Sequence, residues 1–299
     1  SALQAIADVA RGYASLEVDV PTGDRSQRVR DAEAMLKRIT GAEAAAVVNN
    51  NAGATLLTLA ALAAGREVIV SRGQLVEIGG SYRLPEVMEA SGAKLREVGT
   101  TNKTRIDDYR AAIGSDTGAL MRVHASNYAI VGFTEQASLA ELVALGARHH
   151  LPVIDDIGSG ALEDLSCYGV SGEPVVGDSL RAGADVVLFS GDKLLGGPQC
   201  GIILGRKELI KQIVQHPLTR ALRVDKLTLA ALLETLRLHQ DREAAERSLP
   251  LLSLLSTSVA NLQQRAQRLA PQFAACPAIK AAEPVESQAY LGGGSVPSQ

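Results

Sequence analysis

Between Ala44 and Phe189 short, continuously apolar runs alternate with helical stretches, and this alternation constrains the fold more than any other feature of the chain. Strands are expected at Ala44 to Val48, Glu67 to Val70, Lys94 to Val98, Ala119 to His124, Pro152 to Asp156 and Val186 to Phe189, with helices near Ala52 to Ala64, Leu84 to Ser91 and Leu139 to His150. Strands that are apolar throughout, and not only at every second residue, are buried on both faces. That is the pattern of an α/β fold with a mostly parallel sheet sandwiched by helices. From about Val224 the pattern changes to long helical stretches, VDKLTLAALLETLRLHQ and LLSLLSTSVANLQQRAQRLA. The change suggests a large domain over residues 1–215, and a linker helix with a smaller, incomplete C-terminal α/β domain over residues 216–299.

Composition excludes several classes. Lys+Arg 30 against Asp+Glu 33 gives a net charge of −3, which leaves no overall basic footprint for nucleic acid; any RNA contact is expected to be local or made outside these residues. Cys167, Cys200 and Cys276 are dispersed, without C-x-x-C spacing. That argues against a zinc site or a disulfide framework and for a reducing compartment. No apolar run reaches membrane-spanning length and the first residues carry no signal-peptide pattern, so a cytoplasmic location is expected.

The chemistry concentrates in ADVVLFSGDKLLGGPQCGIILG. An apolar strand ends at Ser190-Gly191-Asp192-Lys193, a glycine turn follows, and a second short strand runs from Cys200 to Leu204. Burial disfavours the charged form of a lysine, as a Schiff-base lysine requires; snorkelling out of a hairpin is the plain alternative. Asp156 ends another strand and precedes Gly158-Ser159-Gly160, where a carboxylate can pair with a protonated pyridine nitrogen or simply cap the turn. Together Lys193 and Asp156 suggest pyridoxal 5'-phosphate (PLP), an aldehyde cofactor whose protonated ring serves as an electron sink.

Other candidates lie where ligands of α/β sheets gather, at the carboxyl ends of strands. Asn49 to Gly53 follow a strand and open a helix, so backbone N–H groups there can seat a phosphate or merely form an Asx cap. His124 can stack on a ring or be a satisfied core histidine, Asn127 can reach a phenolic oxygen, and Ser190 can add a hydroxyl to the phosphate. The S-x-x-K string also occurs in penicillin-binding enzymes, but no K-T-G partner is present. Arg220, Arg223 and Lys226 recur at three-residue steps, roughly one helix face, which suits either an anionic substrate or a surface charge stripe.

The strings VVNNNAGATLL, EVIVSRGQLVEIGGSYRLPEVM, SGAKLREVGTTNKTRIDDYRAAI, VHASNYAIVGFTEQASL, DIGSGAL, FSGDKLLGGPQCGIILG and HPLTRALRVDKLTLAALLETLRL resemble the bacterial selenocysteine synthases, the L-seryl-tRNA(Sec) selenium transferases, from Gly12 to about Pro250. The resemblance implies a fold-type I PLP enzyme in which Lys193 carries PLP as a Schiff base, with Asp192 beside it handling protons. It implies Asp156 on the pyridine nitrogen, Asn50, Asn51 and Ala52 in the phosphate cup, and Arg220 and Arg223 on the phosphate of selenophosphate. The implied reaction converts seryl-tRNA(Sec) to selenocysteinyl-tRNA(Sec) by loss of the serine hydroxyl, through an aminoacrylyl intermediate, and addition of selenium, in a homo-oligomer. It leads us to expect more chain on both sides: an N-terminal tRNA-binding domain, a stretch ending in an Asn-Leu-Gly-Arg motif just before Ser1, and the rest of the C-terminal domain. Gln74 stands where the family usually has Glu, a change expected to be minor. Two further readings stay open: a related PLP-dependent β-eliminating lyase acting on a small amino acid, and a non-catalytic fragment.

Overall fold

The computed structural model describes residues 1–24, 29–78 and 82–287. Gly79 to Ser81 of EIGGSYR and the terminal LGGGSVPSQ lie outside the described residues. The strands are β1 (Ala44–Val48), β2 (Glu67–Ser71), β3 (Glu77–Ile78), β4 (Tyr82–Arg83), β5 (Lys94–Val98), β6 (Lys103–Thr104), β7 (Thr117–Val123), β8 (Glu135–Gln136), β9 (Val153–Gly158), β10 (Val186–Ser190) and β11 (Gly201–Gly205). Seven of them form one sheet in the order β1-β11-β10-β9-β7-β2-β5. The run β10-β9-β7-β2-β5 is parallel. At the other end β11 pairs antiparallel with both β10 and β1. The expected parallel sheet is therefore present, extended by one antiparallel hairpin and an edge strand.

Helices cover both faces, as strands apolar on both sides demand. They are α1 (Ala2–Ala10), α2 (Arg30–Thr40), α3 (Asn51–Ala63), α4 (Leu84–Ala90), α5 (Ile106–Ala112), α6 (Leu139–His149), α7 (Val176–Arg181), α8 (Lys207–Gln215), α9 (Leu218–Ala221), α10 (Lys226–Leu238), α11 (Arg242–Ser248), α12 (Pro250–Leu255) and α13 (Val259–Ala274). Successive strand residues point to opposite faces. Ile69, Leu120, Val153, Val187 and Ile202 join one core with Leu36 of α2, Leu142 of α6 and Leu232 of α10. Their neighbours Val68, Met121, Ile154, Leu188 and Ile203 join the other, with Leu57 of α3, Met88 of α4 and Ile210 of α8. Fully burying one such side chain contributes about 1.5–3 kcal/mol, so the two layers together fix the sheet.

Local signals set the helix starts that matter for the site. Asn50 caps α3, its Oδ1 accepting from Gly53 N at 2.7 Å. Ser138 and Glu141 form a capping box on α6, whose following strand carries the two aspartates. Among the described residues no helix is long and apolar enough to cross a membrane.

Candidate functional site at the strand ends

The loop carrying Lys193 is shaped by its glycines. Gly191 N donates to Cys200 O at 2.8 Å, Gly197 N to Gly191 O at 2.8 Å, and Gly196 N to Lys193 O at 2.9 Å. A Cβ on Gly191 would stand 2.4 Å from Cys200 Sγ and 2.9 Å from Pro198 O, so only glycine lets the two strands meet there. Leu194 N donates to Ser159 O at 2.9 Å, tying the loop to the turn after β9. In that turn Gly158 has φ +63, and a Cβ on it would stand 3.9 Å from Lys193 Nζ. Lys193 is thus half-buried, with its amine over the Asp156–Gly160 segment.

Asp155 and Asp156 are neighbours on β9 with opposite surroundings. Asp155 is fully buried and held by Arg122, whose Nε and Nη2 each donate to one of its carboxylate oxygens at 2.7 Å. Asp156 points to the other face. Its Oδ1 accepts from Asn51 Nδ2 at 2.9 Å and its Oδ2 from Thr55 Oγ1 at 3.0 Å. Burial raises the Asp156 carboxyl above its ordinary value. The bonds from Asn51 and Thr55 and the charge of Lys193 oppose that rise, and Asp155 adds to it.

Asn50, Asn51, Ala52, His124, Asn127, Asp156, Ser190, Asp192 and Lys193, all singled out from the sequence, line one cavity of about 510 Å³. The first turn of α3 brings its free N–H groups to one side of it. Ser190 Oγ donates to Asp192 Oδ1 at 2.5 Å, and Asn127 Nδ2 donates to Glu77 O at 3.1 Å, so both side chains are engaged within the protein. His124 N donates to Asp156 O at 2.9 Å. Gln74 is buried and its Oε1 accepts from Val123 N at 3.1 Å; a carboxylate oxygen could accept the same bond.

Arg220 and Arg223 do not line this cavity, and the single helix face expected for them and Lys226 does not form. Arg220 lies in the short α9. Arg223 is extended, in a β-bridge with Val48, and its Nη1 is 3.1 Å from Glu17 Oε1. Asp225 then caps α10 by accepting from Leu227 N and Thr228 N, so Lys226 begins a separate helix and donates to Gly12 O at 2.5 Å. The backbone changes conformation between each pair of basic residues, which three-residue spacing alone does not reveal.

Sequence reasoning missed Thr55, Tyr82, Val76, Ile78, Ser126 and Gln199. Thr55 had a usable signal, since it stands four residues after Asn51 on the same helix and so shares its face. Tyr82 had none, because it reaches the cavity from a two-residue strand of a small hairpin. Burial, and next the negative charge of Asp156, push the Tyr82 hydroxyl well above the usual phenol range, so it remains protonated.

The fold class is clear from solved structures. D-glucosaminate-6-phosphate ammonia-lyase matches with a TM-score of 0.67 at 22% identity, over 92% of this chain and 68% of that one. A double mutant of Thermus thermophilus aspartate aminotransferase matches with a TM-score of 0.58 at 20% identity, over 91% of this chain and 68% of that one. At such identities the likeness is one of fold, the fold-type I α/β architecture.

The model of the SelA family, L-seryl-tRNA selenium transferase, matches residues 1–299, and the chain belongs to that family. It is 53% identical over 290 residues to the L-seryl-tRNA(Sec) selenium transferase of Alkaliphilus metalliredigens (strain QYMF), covering 97% of this chain and 62% of the relative. Against that of Geobacter metallireducens (strain ATCC 53774 / DSM 7210 / GS-15) it is 54% identical over 297 residues, 97% of this chain and 63% of the relative. The chain spans less than two-thirds of the length of these relatives.

Proposed function

We propose that the cavity binds PLP on Lys193 and that the chain carries the catalytic core for converting seryl-tRNA(Sec) to selenocysteinyl-tRNA(Sec) with selenophosphate, in a homo-oligomer in the reducing cytoplasm. The observation that carries this reading is the convergence on one cavity of a lysine amine, a buried carboxylate and a helix N-terminus. The donor set fits such a group: Asn51 Oδ1 and His124 Nε2 are buried there without hydrogen-bond partners among the described residues.

In this reading Lys193 Nζ would hold the cofactor through its aldehyde, Asp156 would pair with the ring nitrogen, and His124 would stack on the ring. The backbone N–H groups of Asn51 and Ala52, with Asn50, would hold the phosphate, joined by the Ser190 hydroxyl once its proton turns away from Asp192, and Asn127 would reach the phenolic oxygen. When bound, PLP supplies an electron sink for the charge that develops at the seryl Cα. Asp156, whose ionised form the bonds from Asn51 and Thr55 favour against burial, would sustain that sink by pairing with a protonated ring. Displaced from the aldehyde by the seryl amine, Lys193 Nζ would be free to take the proton from Cα and return one to the departing hydroxyl, so that water leaves. Asp192, near the lysine and bonded by Ser190, is placed to exchange protons with it. The selenium of selenophosphate would then add at Cβ, water breaking its P–Se bond to release phosphate, and Cα would regain a proton.

We assign Arg220 and Arg223 to the selenophosphate anion on family grounds; that role requires Arg223 to exchange Glu17 for the anion. The test is to supply the PLP-loaded chain with seryl-tRNA(Sec) and selenophosphate and analyse the aminoacyl product. Selenocysteinyl-tRNA is expected. Turnover of free serine or of a phosphorylated amino sugar acid instead would overturn the reading in favour of a lyase.

A further inference from the structure

Glu173 is a carboxylate in a loop, and nothing in its sequence context marks it. Its side chain is only 3% exposed, and its Oε2 lies 3.7 Å from His124 Nε2, while the His124 side chain is 19% exposed. The two are brought together from independent directions. On one side His124 follows the end of β7, its N–H bonded to Asp156 O at 2.9 Å. On the other, the loop after Glu173 is pinned beside the turn that follows β9. Ala161 and Val175 form a β-bridge, and Val176 N donates to Ala161 O at 2.9 Å. The backbone therefore delivers a carboxylate to the far edge of an imidazole whose ring lines the cavity.

A buried carboxylate near a ring nitrogen acts on the ring in two ways: it selects which nitrogen carries the proton and it sets the plane of the imidazole. The separation exceeds the usual 2.9–3.0 Å of an N–H···O bond by about 0.8 Å, a gap that a small side-chain rotation closes. His124 Nε2 is buried with no hydrogen-bond partner among the described residues, and a Glu173 carboxylate oxygen lies close to it.

We propose that Glu173 is a positioning residue for His124: its carboxylate holds the imidazole proton on Nε2 and fixes the ring plane that faces the cofactor. The inference rests on the reading of the cavity as a PLP site, but its primary readout does not. The experiment records long-range ¹H–¹⁵N spectra of the histidine rings of the whole chain, with and without PLP, assigning His124 through His124→Gln. Glu173→Leu removes the acceptor, while Glu173→Gln and Glu173→Asp keep one. In the wild type His124 is expected to be the Nε2-protonated form. That signature is lost to a mixture of tautomers in Glu173→Leu and restored in the Gln and Asp variants. Glu173→Leu also raises the PLP concentration for half-saturation about 3- to 10-fold, the worth of one oriented hydrogen bond. A His124 signal that is the same in all four chains overturns the proposal, and so does loss of the signature in Glu173→Gln and Glu173→Asp as well as in Glu173→Leu. A merely structural pair would lower thermal stability without moving the ring-nitrogen signals. Absence of any PLP-dependent visible band in the wild type would remove the cofactor reading and leave the tautomer result readable by itself.

Discussion

At the cavity, polar side chains hang from the ends of β7, β9 and β10 and from the first turn of α3, all fixed by the same close-packed sheet. Over residues 218–226 the backbone passes from a short helix to a β-bridge to a new helix cap, and its basic side chains turn to Glu17 and Gly12. Both regions carry residues suited to an anionic ligand, yet only the first gathers them. The difference lies in the backbone: strand ends separated by regular pairing return side chains to one place, whereas a segment without continuous hydrogen bonding does not. Charge follows the same division. Asp156 is buried and raised by desolvation, so a cation brought to it is strongly stabilised. Arg223 and Glu17 are each about one-third exposed, so solvent screens their attraction.

The largest effect is expected at Lys193. Lys193→Ala is expected to abolish formation of selenocysteinyl-tRNA by the PLP-loaded chain, assayed by product analysis. Next comes Asp156→Asn. An opposite charge shifts a nearby pKa by about 1–3 units, so removing it lowers turnover about 10- to 1,000-fold while the Lys193-dependent visible band persists.

Thr55→Val acts on the buried charge at the cavity. It removes a hydrogen bond to a buried charge, worth about 1.5–3 kcal/mol when Asp156 is ionised. Because the folded Asp156 carboxyl lies above its unfolded value, its contribution to stability is full below the ordinary carboxylate value and is lost as pH rises through the folded one. Thr55→Val raises the folded value further and deepens that loss. Chemical denaturation of the unloaded chain across the acidic-to-neutral range checks the slope, and an unchanged profile counts against an ionisable Asp156 at the cavity. Smallest is Arg223→Ala, which costs at most about 1 kcal/mol in thermal unfolding and leaves the visible band unaltered. A lost band would show that the two regions are coupled.

How much was legible in the sequence follows from the same physics. β1 and β5 were read with the bounds observed, and β2, β7, β9 and β10 within one or two residues, because runs such as Ala44–Val48 and Lys94–Val98 are bounded by turn or helix signals. What separates Asp156 from its neighbour Asp155 is visible only in the structure, since the sequence shows two adjacent carboxylates without the Arg122 clamp that holds Asp155. The single helix face expected for Arg220, Arg223 and Lys226 does not form, because periodicity says nothing about the Val48–Arg223 bridge or the Asp225 cap. Tyr82 and Glu173 escaped notice because each arrives through long-range folding of a short, irregular segment.

The central claim is that Lys193 Nζ is the atom that takes the cofactor. Borohydride reduction of the PLP-treated chain, followed by proteolysis and peptide mass mapping, tests it most directly. The expected result is a pyridoxyl-phosphate mass increment confined to the peptide containing Lys193 and absent from Lys193→Ala. An increment spread over surface lysines, or one that survives in Lys193→Ala, would contradict it.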